Sequence, residues 1–162
     1  MAGSNLTRRE FGRAALAGLH LCAMVTAARG QSAWPTLTVS KDPSCGCCAA
    51  WADHVRRAGF PVEIVETADL DTVKKRLGVP VDLAACHTAE IDGYVIEGHV
   101  PATAIQRLLR ERPNAAGLAV RGMPAGSPGM EAPGVQPETY DVVLFGSGTR
   151  VRYARFSGLR EL

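Results

Sequence analysis

The 162 residues, 46% hydrophobic and 21% charged, carry a formal net charge of +2, and the length fits one domain. The basic excess is confined to the N-terminus. Arg8, Arg9, Arg13 and Arg29 precede residue 34 with only Glu10 against them, which leaves 14 basic and 15 acidic residues in the remainder. That balance excludes an electrostatic case for nucleic acid or an anionic membrane surface as partner.

Thr7-Arg8-Arg9-Glu10-Phe11 precedes an uncharged run from Ala14 to Ala28 that ends on small residues. A charged start, a weakly apolar stretch and small residues make an export signal, and paired arginines make it twin-arginine-like. The apolar run falls short of the roughly twenty residues a spanning helix needs. Residues 1–33 are therefore expected to be cleaved, taking Cys22 with them and leaving 34–162 as a periplasmic domain without a membrane attachment. Four cysteines remain, in a compartment where disulfides persist. About 130 residues can bury a core without needing them as staples.

Alternation over residues 36–40 predicts a strand ended by Asp42-Pro43. Ser44 is the expected N-cap of a helix reaching Ala58, with Cys48, Trp51, Ala52 and Val55 on one face. Cys45, Cys47 and Cys48 then lie at a helix start, where the dipole and free N–H groups favour thiolate. Residues 61–66 read as a second strand. Residues 69–77 read as a helix with Leu70, Val73 and Leu77 inward, stopped by Gly78.

Leu83 to Ile91 and Tyr94 to Val100 read as a hairpin turned at Asp92-Gly93. A two-residue turn pairs Ile91 with Tyr94 and so sets Cys86 opposite His99, on one face with Thr88 and Glu97. His87 goes to the other face, with the core residues Ala89, Ile91, Tyr94 and Ile96. Pro101 opens a helix to Arg112 with Ile105, Leu108 and Leu109 buried. Residues 117–120 make a short strand, and 122–137, rich in Gly and Pro, a loop. A last hairpin pairs 140–145 with 151–156. The order β-α-β-α-β-β-α, with cysteines after the first strand, resembles the thioredoxin-like fold, here with an added C-terminal β-hairpin.

Cys45-Gly46-Cys47-Cys48 contains both C-x-x-C and C-x-C spacing. Gly46 is expected to let the backbone turn tightly enough for three sulfurs to converge. Among disulfide pairings, Cys45–Cys48 with Cys47–Cys86 is the least strained. Structural stapling, thiol–disulfide exchange through Cys45 and Cys48, and metal binding all fit these thiols. A closed zinc site usually draws on two C-x-x-C pairs, and one is present, so zinc is the lesser alternative. Thiolate with imidazole and thioether selects Cu(I), and Met123 and Met130 lie in a polar loop where packing rewards them little. His54 reads as a solvated surface residue and Trp51 as core.

Cys45-Gly46-Cys47-Cys48, Ala85-Cys86-His87-Thr88, Asp92 through Pro101 and Gly122 through Glu131 together resemble the CopG-type copper-resistance family, domain of unknown function 411, over residues 36–158. The resemblance implies an exported copper protein whose Cys45, Cys47, Cys48, Cys86 and His99 are inner ligands to one or several bridged copper ions. His87, Met123 and Met130 would be outer or state-dependent ligands. It further implies redox handling of copper and exchange with other periplasmic copper-handling proteins.

Overall fold

The computed structural model describes residues 34–146 and 148–162; the expected export signal, 1–33, lies outside the described residues. In chain order the elements are β1 (Leu37–Lys41), α1 (Gly46–Arg57), β2 (Val62–Glu66), α2 (Leu70–Arg76), a 3-10 turn (Val81–Leu83), β3 (His87–Ile91), β4 (Tyr94–Glu97), α3 (Ala102–Glu111), β5 (Gly117–Val120), β6 (Thr139–Gly146), β7 (Thr149–Ser157) and β8 (Arg160–Glu161). All strands join one sheet in the order β2-β1-β3-β4-β5-β6-β7-β8. β1 and β2 are parallel across α1, and β4 and β5 are parallel across α3. No described helix is long and apolar enough to cross a membrane.

Alternation along the strands divides the interior in two. Ile96, Leu118 and Leu144 join Leu37, Val39, Trp51, Val55, Ile105 and Leu108 in the larger cluster, beneath α1 and α3. Their neighbours Val95, Ala119 and Phe145 pack with Val79 and Leu83 on the opposite face. That second face also carries Thr88 and Glu97, against α2, whose buried residue is Lys74. Leu70, Val73 and Leu77, expected inward, are only half-buried. The helix is rotated because Lys74 donates to the Glu97 carboxylate at 2.6 Å.

The β3–β4 register has the expected pairs, Ile91 with Tyr94 and Thr88 with Glu97. Asp92 (φ 48°) and Gly93 (φ 84°) both take the left-handed conformation that a two-residue hairpin turn requires. β3 begins at His87, however, and not at Leu83. Upstream of it the Ala85 N–H donates to the Glu97 side chain at 2.6 Å. β4 ends at Glu97, and at Gly98 (φ 69°), which follows it, an added Cβ would stand 2.7 Å from both the Ala85 Cβ and the Val120 carbonyl oxygen. His99 therefore leaves the ladder and turns toward the sheet end at which β1 and β4 finish.

Other boundaries differ by a residue or two, with local causes. Cys45, not Ser44, occupies the N-cap of α1. The Ser44 N–H and hydroxyl both donate to Asp42 Oδ1, at 2.8 and 2.5 Å. Pro101 sits at the N-cap of α3 and Leu109 is half-buried.

Candidate metal centre

Four side-chain sulfurs and two imidazoles meet at the sheet end described above. Cys45 leads into α1, and Cys47 and Cys48 occupy its first turn. Cys48 is fully buried on the helix face it shares with Trp51 and Val55. Cys45 and Cys48 are joined as a disulfide, with Cα atoms 5.4 Å apart. Gly46 has no positive φ, and a Cβ there would meet nothing within 4 Å. The convergence of sulfurs thus comes from the i, i+3 geometry of a helix start, not from a glycine turn as expected.

Cys47 Sγ lies 3.5 Å from Cys45 Sγ and 3.9 Å from Cys86 Sγ. Cys86, just ahead of β3, is the hub. Its sulfur is 3.1 Å from His99 Nε2 and 3.3 Å from His87 Nδ1. Two groups of donors each fall within 4.8 Å: Cys45, Cys47, Cys48 and Cys86, and Cys86, His87 and His99. Cys86 belongs to both.

The predicted pairing of Cys86 with His99 is thus met as a contact, and His87 joins them from the core face. His87 has no exposure and lies against Trp51, ring centroids 4.3 Å apart, with its edge to His99 at 5.2 Å. Trp51 is core, as expected, and fixed by its own Nε1 donation to the Val100 carbonyl at 2.9 Å.

Burial sets the protonation states. It pushes His87 well below the ordinary imidazole range, helped by His99 and Lys74, and lowers His99 against the Pro128 carbonyl and Glu131. Burial, with Cys47 beside it, pushes the Cys86 thiol up to about 12, against the Lys74 charge. Without a cation the hub is a neutral thiol between neutral imidazoles; a bound soft cation reverses that preference. His87 Nε2 is the only buried side-chain nitrogen or oxygen among the described residues without a hydrogen-bond partner. Convergent thiols with two neutral imidazoles are a donor set that fits a soft metal ion.

The Gly/Pro-rich loop closes one side of the group. Pro128 accepts a hydrogen bond from His99 Nδ1 at 2.8 Å. Gly129 (φ 84°) packs so tightly that an added Cβ would be 2.7 Å from both Cys47 O and Trp51 N. Its N–H donates to Glu131 at 2.7 Å. Met130, half-buried, follows that docked segment, whereas Met123 is 53% exposed at the loop's start. His54, expected to be solvated, is half-buried, and its Nε2 accepts the Ala102 N–H at 3.1 Å, capping α3.

The family described as protein of unknown function DUF411 matches residues 83–130, a span that holds Cys86, His87, His99, Met123 and Met130 but not the cysteine triplet. Two solved structures of copper resistance protein CopG, forms 1 and 2, superpose with TM-scores of 0.71. Form 1 is 45% identical, over 77% of this chain and 99% of that one. Form 2 is 46% identical, over 75% and 98%. No curated protein gave a match.

Proposed function

This chain belongs to the CopG-type copper-resistance family, and we propose that it is an exported protein that binds copper as Cu(I) and takes part in copper redox chemistry. One observation carries the reading: three sulfurs and two buried imidazoles converge on the sulfur of Cys86. Thiolate and neutral imidazole are ligands for which Cu(I) has high affinity. A thiolate sulfur has more than one lone pair, so Cys86 can serve both donor groups and hold more than one ion. Cys45, Cys47, Cys48, Cys86, His87 and His99 are the proposed ligands, with Met130 as an accessory thioether and Met123 available at the loop's exposed start.

The sheet order β2-β1-β3-β4, with β1 and β2 parallel, supports a thioredoxin-like core extended by β5 and the C-terminal strands. Residues 1–33 are read as the export signal, so the mature protein would exchange copper with other copper-handling proteins outside the cytoplasm. N-terminal sequencing of the exported protein checks that reading.

The decisive experiment is a Cu(I) titration of reduced protein beside a Cys45→Ser, Cys48→Ser variant. Equal copper per chain in the two would overturn the proposal. A second reading, a thiol–disulfide oxidoreductase using Cys45 and Cys48, draws on their disulfide at a helix start. Cys47, 3.5 Å from Cys45 Sγ, weighs against it, because a third thiol there would scramble an exchanging disulfide. Disulfide reductase activity in metal-free protein would favour it. Zinc in the same ligands is the third reading, and a Cu(I)-over-Zn(II) competition separates it.

A further inference from the structure

Behind Cys86, on the sheet face away from α1, lies a closed polar network. Glu97 has no exposure and Lys74 is 8% exposed. Glu97 Oε1 accepts from Lys74 Nζ and from the Ala85 N–H, both at 2.6 Å, and Oε2 accepts from the Thr88 hydroxyl at 2.7 Å. Lys74 also donates to Thr88 Oγ1 at 2.8 Å. The network thus joins α2, β3, β4 and the segment before β3 through one carboxylate.

A buried ion pair is a poor device for stability alone. Desolvation offsets its Coulomb attraction, and apolar residues of similar volume commonly hold a fold as well or better. An apolar pair has no acceptor for the Ala85 N–H, which lies outside the strand ladder and needs one. Ala85 is followed by Cys86, and Glu97 is followed two residues later by His99. The carboxylate therefore fixes, one residue and two residues away, the two segments whose side chains approach to 3.1 Å. Gly98 adds to the clamp, since it fits only by lacking a Cβ between Ala85 and Val120.

We propose that Lys74 and Glu97 are positioning residues that hold the Cys86 and His99 segments in register for the metal centre. The proposal rests on reading Cys86 and His99 as ligands, and it is tested first without metal. With Cys22, Cys45 and Cys48 replaced by Ser, Cys47 and Cys86 are the only thiols in the chain. Equilibration with glutathione converts two thiols and one glutathione disulfide into the Cys47–Cys86 disulfide and two reduced glutathiones. The equilibrium constant gives the effective concentration of one thiol at the other.

In that background, Lys74→Met with Glu97→Leu should lower the effective concentration about tenfold or more, because loose placement of reacting groups is that costly. Its melting temperature should stay level or rise. In the chain with all cysteines, the same pair should weaken Cu(I) binding about tenfold and shift the thiolate-to-copper absorption. Glu97→Gln, which keeps an acceptor for Ala85 but loses the charge, should lower the effective concentration less, by about threefold. It decides the matter if the double variant does not fold. A wild-type effective concentration in the folded double variant, or in Glu97→Gln where the double variant does not fold, overturns the proposal. Cys86→Ser binding Cu(I) like the wild type would instead overturn the metal reading and leave the thiol equilibrium unaffected.

Discussion

His99 donates its Nδ1 proton to the Pro128 carbonyl at 2.8 Å, which leaves Nε2 bare and 3.1 Å from the Cys86 sulfur. A carbonyl can only accept, and burial keeps the ring neutral, so a loop 29 residues downstream selects the tautomer of a proposed ligand. Partners of this kind fix the orientation and basicity of metal-binding histidines.

The docking of that loop depends on Gly129, whose positive φ and missing Cβ allow contact with Cys47 and Trp51. Gly129→Ala should cost about 1–2 kcal/mol of stability through strain at the left-handed position. It should also weaken Cu(I) binding about tenfold as Pro128 withdraws from His99. Competition with a chromogenic Cu(I) chelator and thermal unfolding read the two effects separately. Wild-type affinity in a destabilised variant would show that the loop does not set the ligand.

Stability should depend on pH in one direction below neutrality. Burial holds His54, His87 and His99 below the ordinary imidazole range. Under about pH 6.5 the unfolded chain takes up protons that the folded chain resists, so stability falls, by at most about 1.4 kcal/mol per pH unit for each histidine. Well above that pH both states are neutral at these rings and their contribution is flat. Glu97, pushed upward by burial, works in the opposite sense nearer its own range. Urea unfolding of metal-free protein at pH 7.5, 6.5 and 5.5 should give a small drop followed by a clearly larger one. A rise between pH 6.5 and 5.5 would contradict the assignment of neutral buried imidazoles.

Local pattern carried the hairpin well. Asp92-Gly93 and strict alternation determine the register and the burial of His87, whereas Cys86 and His99 meet beyond the ladder, where Gly98 turns the chain. What pattern could not carry came from distant partners. Lys74 breaks the apolar periodicity of α2 because its carboxylate partner lies 23 residues away. His87 parity gave the core face correctly, but the rings that pack on it, Trp51 and His99, come from other segments. The Gly/Pro-rich loop reads as irregular from composition, and nothing local says that Gly129 fits against α1. Gly46 shows the converse hazard: its place between cysteines invites a conformational role that the backbone does not use.

The two loop methionines should separate in function. Met123 is 53% exposed, whereas Met130 is half-buried next to the residue that packs on Cys47. Met123→Ser should leave Cu(I) affinity within about twofold, as for other surface changes. Met130→Ser should lower affinity by more than that and disturb the copper–sulfur spectrum. Equal effects from the two would assign both thioethers, or neither, to the metal.

Oxidation state should set copper capacity. Each disulfide removes two thiolates, and the Cys45–Cys48 bond takes them from the all-sulfur donor group. The second group, Cys86, His87 and His99, keeps every member, and Cys47 stays a free thiol. Reduced protein should therefore retain about twice the Cu(I) per chain, or more, after a chelator wash than the disulfide form does, since bridging thiolates are the ligands lost. A Cys45→Ser, Cys48→Ser variant should behave like the disulfide form even in reductant, whereas His99→Ala should reduce what both forms retain. Copper content by elemental analysis on these five samples decides the matter. Equal retention in reduced and oxidised wild type would mean that Cys45 and Cys48 are not ligands, and would return their disulfide to a structural or exchange role.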